Sequence, residues 1–281
     1  MMHREKIRKV FRYSIVHKNP KDFFECFKIK KIKYNKFSKF YNDLNKPKII
    51  CTINFGRVGS QFLFENLNGK LDLLCGINLF NKNKKKSFIT HGNFENFFFY
   101  SLKKVNYNNT ILFEISPKRF LKLVKFIDLK ILKIFTYHVI IRENILDQVM
   151  SFYTALNTGI WQNLKKNNKN DIFINKSYEK IKPKLFEILK NILLFEKKIS
   201  VFLRKNKISF LKQNYELIIK NKNYEANKFI NFYKLSCFLL KHKIKARNMK
   251  KNVYSKKFNQ IKLEFKSDKQ LKLKLKKRIK I

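Results

Sequence analysis

Short apolar runs alternate with longer amphipathic segments along the middle of the chain. The apolar runs predict strands at about 48–54, 111–115, 135–141 and 208–211. Apolar residues that recur every three or four positions predict helices at about 60–68, 94–105, 117–127, 145–157, 178–205 and 225–240. This alternation is typical of an α/β fold, in which helices cover both faces of a central parallel sheet in three layers.

The two ends of the chain lack this clear alternation. Residues 1–46 are basic and aromatic with weak periodicity, and they predict short helices or an arm over the core. The lysine- and asparagine-rich run 163–176 predicts a loop, and the lysine-rich tail from 243 has Ser267 as a candidate cap for a last helix. We expect a single domain over residues 1–281, with its core at about 48–240.

The first predicted strand leads into a turn that contains two glycines. The turn reads Gly56-Arg57-Val58-Gly59-Ser60, and the predicted helix 60–68 follows it directly. Backbone N–H groups converge where a strand, a glycine turn and a helix N-terminus meet, so the segment predicts an anion site. It is not a Walker A loop, which has four residues between its glycines and then a lysine. An ordinary turn with a serine N-cap is the alternative.

A second segment of the chain also predicts an anion site. Arg142 follows the predicted strand 135–141, and Ser151 lies nine residues later in the next helix. The arginine fork matches a phosphate, and the serine hydroxyl adds another donor. The alternatives are an ion pair of Arg142 with Glu143 or another carboxylate, and a helix-surface serine.

Taken together, the segments resemble sulfotransferases that use 3′-phosphoadenosine-5′-phosphosulfate (PAPS). The first motif of that family corresponds here to Arg57-Val58-Gly59-Ser60-Gln61, and its later arginine–serine pair to Arg142 and Ser151. The stretch Gln148…Ser151…Thr158-Gly159-Ile160-Trp161 is similar to bacterial carbohydrate sulfotransferases of the trehalose 2-sulfotransferase type, and a weaker match is Tyr215-Glu216-Leu217. The matches follow the family's order over about 48–220.

The resemblance implies a P-loop NTPase-like sulfotransferase fold and an enzyme that transfers a sulfuryl group to a carbohydrate or glycolipid hydroxyl. PAPS is then the co-substrate and no metal is needed. The implied nucleotide-binding residues are Arg57, Val58, Gly59, Ser60, Gln61, Phe62, Arg142 and Ser151, and Arg57 is also expected to stabilise the leaving phosphate. The chain departs from the family at Gln61, Glu143 and Asn144, and it lacks the C-terminal glycine-rich loop of the animal enzymes.

Such a transfer needs a general base, and the sequence offers two candidates. Glu114 lies in the apolar run 111–115, where burial is expected to raise the pKa of its carboxyl. Pairing of Glu114 with a lysine or arginine is the alternative. His91 lies in a predicted acceptor loop, with a capping or solvent-facing role as its alternative. His138 is predicted to be a packed core histidine, and Trp161 to wall the ligand site or fill the core.

The formal charge of +46 adds a further function class, nucleic-acid binding. Lysine far outnumbers arginine, and Asn, Ile, Phe and Tyr are abundant, which indicates codon bias in an A/T-rich genome rather than a specific nucleic-acid site. The charge still predicts attraction to polyanions and anionic surfaces. A kinase or NTPase with a degenerate loop is the other alternative, but no Gly-Lys-[Ser/Thr] is present.

The chain also indicates its compartment. The four cysteines form no CxxC pair and are predicted to be reduced, with Cys51 inside an apolar strand. Neither a signal peptide nor an 18-residue apolar stretch is visible, so we expect a cytoplasmic protein without a membrane span. The sequence leaves the oligomeric state open.

Overall fold

A five-stranded sheet organises the part of the chain that the computed structural model describes, residues 24, 30–56, 58, 60–68, 93–158, 177–235, 256–276 and 278. The strands are β1 (Lys48–Asn54), β2 (Asn106–Tyr107), β3 (Thr110–Ile115), β4 (Thr136–Ile141) and β5 (Phe210–Asn214). Their order is β2-β3-β1-β4-β5. All pairs are parallel except the edge pair of β2 with β3. The predicted α/β class with a mostly parallel sheet is therefore confirmed.

Helices flank this sheet and follow its strands along the chain. In the described residues they are α1 (Tyr34–Asp43), α2 (Ser60–Asn68), α3 (Phe94–Lys104), α4 (Pro117–Phe126), α5 (Leu129–Leu132), α6 (Ile145–Thr158), α7 (Tyr178–Lys205), α8 (Tyr215–Lys220), α9 (Lys222–Phe232), α10 (Lys256–Ser267) and α11 (Lys269–Lys276). Helix α4 contacts β1, while α8 and α9 contact both α2 and β5. None of the described helices is long and apolar enough to cross a membrane.

Most predicted elements match the observed ones, and the differences have local causes. The strand predicted at 208–211 is Phe210–Asn214, because the alternating exposed Lys212 and buried Gln213 extend it past its apolar residues. Helix α8 was not predicted, and the helix predicted at 225–240 is α9, with 236–240 outside the described residues. Ser267 does not cap α11. Instead, the Asp268 carboxylate accepts a hydrogen bond from Gln270 N at 2.8 Å.

The chain divides into two compact units, which we describe separately. The sheet unit contains the described residues of 21–143 and 201–247. The helical unit contains those of 144–200 and 248–281, including α6, most of α7, α10 and α11. Apolar side chains at helical spacing build the core of the helical unit, among them Val149, Leu185, Leu189, Ile261 and Phe265.

Phenylalanine and tyrosine rings fill much of the core of the sheet unit. Phe40 and Phe99 are stacked at 4.4 Å between ring centroids, and Phe120 meets Tyr137 edge-on at 5.7 Å. Each such pair adds about 0.5–1.5 kcal/mol to the gain from burial. The abundance of phenylalanine that suggests codon bias therefore also stabilises this fold.

The register of the parallel strands brings polar residues together on one face of the sheet. Thr52 pairs with Glu114 on β3 and with His138 on β4. Because partners in register point to the same face and side chains alternate along a strand, Asn54 lies on that face too. Helix α2 begins six residues after Asn54, so its first residue lies near this polar row.

Candidate functional site

The turn after β1 begins with an asparagine that holds its own backbone. The Oδ1 atom of Asn54 accepts a hydrogen bond from Gly56 N at 2.8 Å. Gly56 has φ 78°, a left-handed conformation that glycine adopts without the steric cost of a Cβ. This Asx turn directs the chain from the end of β1 toward α2. Val58, which follows, is buried.

The same asparagine connects the turn to the neighbouring strand. Its Nδ2 atom lies 2.7 Å from Ser60 Oγ and 3.3 Å from Glu114 Oε1. Ser60 is the buried first residue of α2, and its hydroxyl also hydrogen-bonds to the Glu114 carboxyl. Asn54, Ser60 and Glu114 therefore form one polar cluster at the carboxyl end of β1. Ligands bind at this end of the strands in open α/β sheets.

Burial raises the pKa of the Glu114 carboxyl above its ordinary value, as the sequence predicted. The hydrogen bonds from Ser60 and Asn54 oppose this rise because they favour the ionised form. Among the described residues, the hydrogen-bond partners shown for Glu114 are the neutral Asn54 and Ser60 rather than a lysine or arginine. A half-buried carboxyl with a raised pKa is suited to accept a proton.

Arg142 also lies at the carboxyl end of the strands, beside β1. It follows β4, the parallel neighbour of β1, and its side chain is 11% exposed. The guanidinium carbon lies 4.3 Å from the centroid of the Tyr215 ring. Its Nε atom is 3.9 Å from Glu216 Oε1, while Glu216 Oε2 accepts a hydrogen bond from Glu143 N at 3.1 Å. The alternative named for Arg142, an ion pair with a carboxylate, is thus observed with Glu216 of α8.

The second residue of the predicted pair, Ser151, belongs to the helical unit. It is buried in α6, so it is not the surface serine that was its alternative. Gln148 of the same helix is also buried. The sequence separation of Arg142 and Ser151 is nine residues, with α6 beginning at Ile145.

His138 is fully buried, as predicted for a packed core histidine. Its Nδ1 atom lies 3.1 Å from Thr52 Oγ1, and the ring of Phe229 meets it edge-on. Desolvation lowers the pKa of His138 to about 3, and the nearby Gln213 opposes this only partly, so the imidazole is neutral at neutral pH. Among the described residues its Nε2 atom has no partner at hydrogen-bonding distance. This geometry makes His138 a poor base for an external substrate.

A second buried polar contact lies on β5. The Nε2 atom of Gln213 is 2.7 Å from both the backbone oxygen and Oε2 of Glu225, a buried carboxylate of α9. Sequence reasoning did not identify this pair, because its two residues lie on different elements.

Several residues singled out in the sequence lie outside the described part of the structure. They are Arg57, Gly59, His91 and Trp161, together with the side chains of Gln61 and Phe62. Sequence reasoning in turn missed Asn54. The signal for it was present, because an asparagine two residues before a glycine favours an Asx turn.

The described residues contain no group of three or more His, Cys, Asp or Glu side chains that could hold a metal ion. Cys51 is a buried free thiol, as predicted, and burial raises its pKa well above the ordinary value. The chain matches no protein-family model, and it shows no significant match to a curated protein.

Proposed function

We propose that this protein transfers a sulfuryl group from PAPS to a hydroxyl of a carbohydrate or glycolipid, using a three-layer, P-loop-like sulfotransferase fold. The sequence support is the ordered set of motifs that begins at Arg57 and includes Arg142 and Ser151. PAPS carries phosphates at both its 5′ and 3′ positions, so it needs two anion-binding segments.

One observation supports this proposal more than any other. The carboxyl ends of the adjacent parallel strands β1 and β4 lead into the Gly56–Ser60 turn and into Arg142, respectively. Two candidate anion-binding segments thus begin side by side at the carboxyl ends of the strands, where α/β sheets bind ligands. The Glu114 carboxyl belongs to the same end of the sheet, which adds a candidate base to the two anion sites.

In the proposed reaction, the acceptor oxygen forms a bond to sulfur while the bond between sulfur and the 5′-phosphate oxygen breaks. The acceptor hydroxyl loses its proton to Glu114, and the bond electrons leave with 3′-phosphoadenosine-5′-phosphate (PAP). Like phosphoryl transfer, this step depends on positioning and on stabilising the negative charge of the leaving group. Arg57 and the N–H groups of the turn are the proposed stabilising groups.

Calorimetric titration with PAP tests the nucleotide site, with 5′-AMP as the matched ligand that lacks the 3′-phosphate. We expect saturable binding of PAP with a dissociation constant in the micromolar range and much weaker binding of 5′-AMP. Absence of PAP binding at low salt would contradict the proposal. Titration with Mg²⁺-ATP and with a single-stranded oligonucleotide tests the kinase and nucleic-acid alternatives, the latter through a steep dependence of affinity on salt.

The acceptor needs a separate experiment. Incubation of the protein with ³⁵S-labelled PAPS and cell extract, followed by fractionation, should place label in glycans or glycolipids. Label confined to inorganic sulfate or to protein would contradict the proposed acceptor class even if PAP binds.

A further inference from the structure

The donors and acceptors around Asn54 can be assigned from the contacts themselves. The backbone N–H of Gly56 can only donate, so the amide atom that faces it must be Oδ1. The other amide atom is then the NH₂ group, which can only donate. Ser60 Oγ, 2.7 Å from this nitrogen, must therefore accept a hydrogen bond from it.

This assignment fixes the direction of the Ser60 hydroxyl. With its oxygen accepting from Asn54, the hydroxyl hydrogen is available to the neighbouring carboxylate, and Ser60 does hydrogen-bond to Glu114. The carboxylate also accepts from Asn54 Nδ2 at 3.3 Å. One amide thus contacts the turn, the first residue of α2 and the carboxylate of β3, and three elements depend on its orientation.

We propose that Asn54 is the positioning residue of this site, holding the Glu114 carboxylate toward the turn and directing the Ser60 hydroxyl onto it. The catalytic part of the proposal rests on the proposed function, in which Glu114 is the base. Asn54 acts through these two neighbours and does not itself take the acceptor proton.

The groups around Glu114 predict how loss of the Asn54 amide would change the pKa of its carboxyl. Its two donors in the described part of the chain, Asn54 and Ser60, are neutral, and both lower the pKa of its carboxyl against the effect of burial. Its register partner Thr52 is neutral, and His138, the titratable group on β4 in the same row, stays uncharged above about pH 3. Loss of the Asn54 amide should therefore raise the pKa of Glu114 and leave its carboxylate less well oriented.

The informative variant is Asn54→Ser. A serine hydroxyl can still accept from the N–H two residues on and so retain the turn at Gly56, but it is too short to replace the NH₂ group. Asn206→Ser is the matched control, because Asn206 also uses its amide as a donor, to Phe202 O at 2.7 Å. Asn206 precedes β5 and so lies at the amino end of that strand, away from the carboxyl ends that form the candidate site. Urea unfolding would establish that both variants are folded.

The first readout needs no substrate. In full-length protein labelled with ¹³C at the glutamate carboxyl carbons, the Glu114 signal is assigned by its loss in Glu114→Gln. We expect Asn54→Ser to raise the pKa of Glu114 and Asn206→Ser to leave it unchanged. An unchanged or lower pKa in Asn54→Ser would overturn the proposal. If Asn54→Ser does not fold, Ser60→Ala removes the second donor and must raise the same pKa.

The second readout is the sulfuryl-transfer reaction with PAPS. We expect kcat at neutral pH to fall about tenfold or more in Asn54→Ser, a part of the loss expected when a general base is removed. The KM for PAPS should change less than about threefold, and the acid limb of kcat should move to higher pH. Normal kcat in a variant that binds PAP would refute the positioning role. A wild-type protein that does not bind PAP would refute the proposed function, and the carboxyl titration would still decide whether Asn54 holds Glu114.

Discussion

The guanidinium of Arg142 lies over the ring of Tyr215, with 4.3 Å between the guanidinium carbon and the ring centroid. The two residues follow adjacent parallel strands, β4 and β5, and Tyr215 begins α8. A flat cation stacked on a ring loses few degrees of freedom when it binds a planar or tetrahedral anion. The sheet therefore supplies Arg142 with a support that its local sequence does not provide.

Arg142→Lys should weaken PAP binding about tenfold or more, because lysine keeps the charge but loses the fork and the stacking. Binding of 5′-AMP should change little, since it lacks the 3′-phosphate that Arg142 is proposed to hold. Calorimetric titration of both ligands measures the difference. Lys220→Ala, at an exposed position of α8, is the control. Equal losses for PAP and 5′-AMP would show that Arg142 does not bind the 3′-phosphate.

Glu114→Gln should lower the rate of sulfuryl transfer by about 10²–10⁴, the range for removal of a general base. PAP affinity should stay within about twofold, because the glutamine carbonyl can still accept from Asn54 Nδ2. Steady-state kinetics with labelled PAPS measures the rate, and His91→Ala tests the other candidate base in parallel. Full activity in Glu114→Gln together with loss in His91→Ala would transfer the role to His91.

The buried His138 should make the stability of the sheet unit depend on pH. Its pKa is about 3 in the folded protein and about 6.5 when unfolded, so the unfolded state binds more protons between these values. The free energy of unfolding should therefore fall as pH decreases below about 6.5, by up to about 1.4 kcal/mol per pH unit from this group. Urea unfolding of wild type and His138→Gln at several pH values isolates the contribution. Parallel stability curves would contradict the buried neutral imidazole.

The helical unit contains a buried ion pair whose loss should be costly. Arg278 Nε donates to Glu196 Oε2 at 2.8 Å and a terminal nitrogen lies 2.7 Å from Oε1, with side chains 9% and 3% exposed. Glu196→Ala leaves a buried arginine charge and should lower the free energy of unfolding by about 3–5 kcal/mol.

The exposed pair of Lys184 with Glu187 is the control for this ion pair. Glu187→Ala should cost less than about 1 kcal/mol. Replacing Glu196 and Arg278 together with methionine should be much less damaging than Glu196→Ala alone, because both buried charges are then removed. A double variant as unstable as the single variant would show that packing, rather than charge, dominates at this position.

The sequence correctly predicted those elements whose pattern of apolar residues is continuous over their whole length. The bounds of β1, α2 and α7 match the expected ones, because an apolar run or a helical stripe specifies each of them over its whole length. The two-residue strand β2 carries no such signal, and β5 ends in the polar residues Gln213 and Asn214. Both are strands because a neighbouring strand pairs with them, which is not a property of their own sequence.

The candidate site was likewise predictable from the sequence only in part. Three candidate residues were recognisable from the sequence: Ser60 from the glycine turn, Arg142 from the end of a strand and Glu114, as a general base, from its place in an apolar strand. The partners Asn54 for Glu114 and Tyr215 for Arg142 were not, since the members of each pair are 60 and 73 residues apart in sequence (114 − 54 and 215 − 142).

The sequence by itself determined the alternation of strands and helices, the strand–turn–helix at Gly56 and the position of His138 in the core. Only the tertiary structure decided that β1 lies between β3 and β4, which brings Glu114 and Arg142 to opposite sides of the strand that leads into the turn. The physical reason is that hydrophobic periodicity specifies which face of a strand is buried, whereas the choice of neighbouring strand depends on packing between residues far apart in the chain.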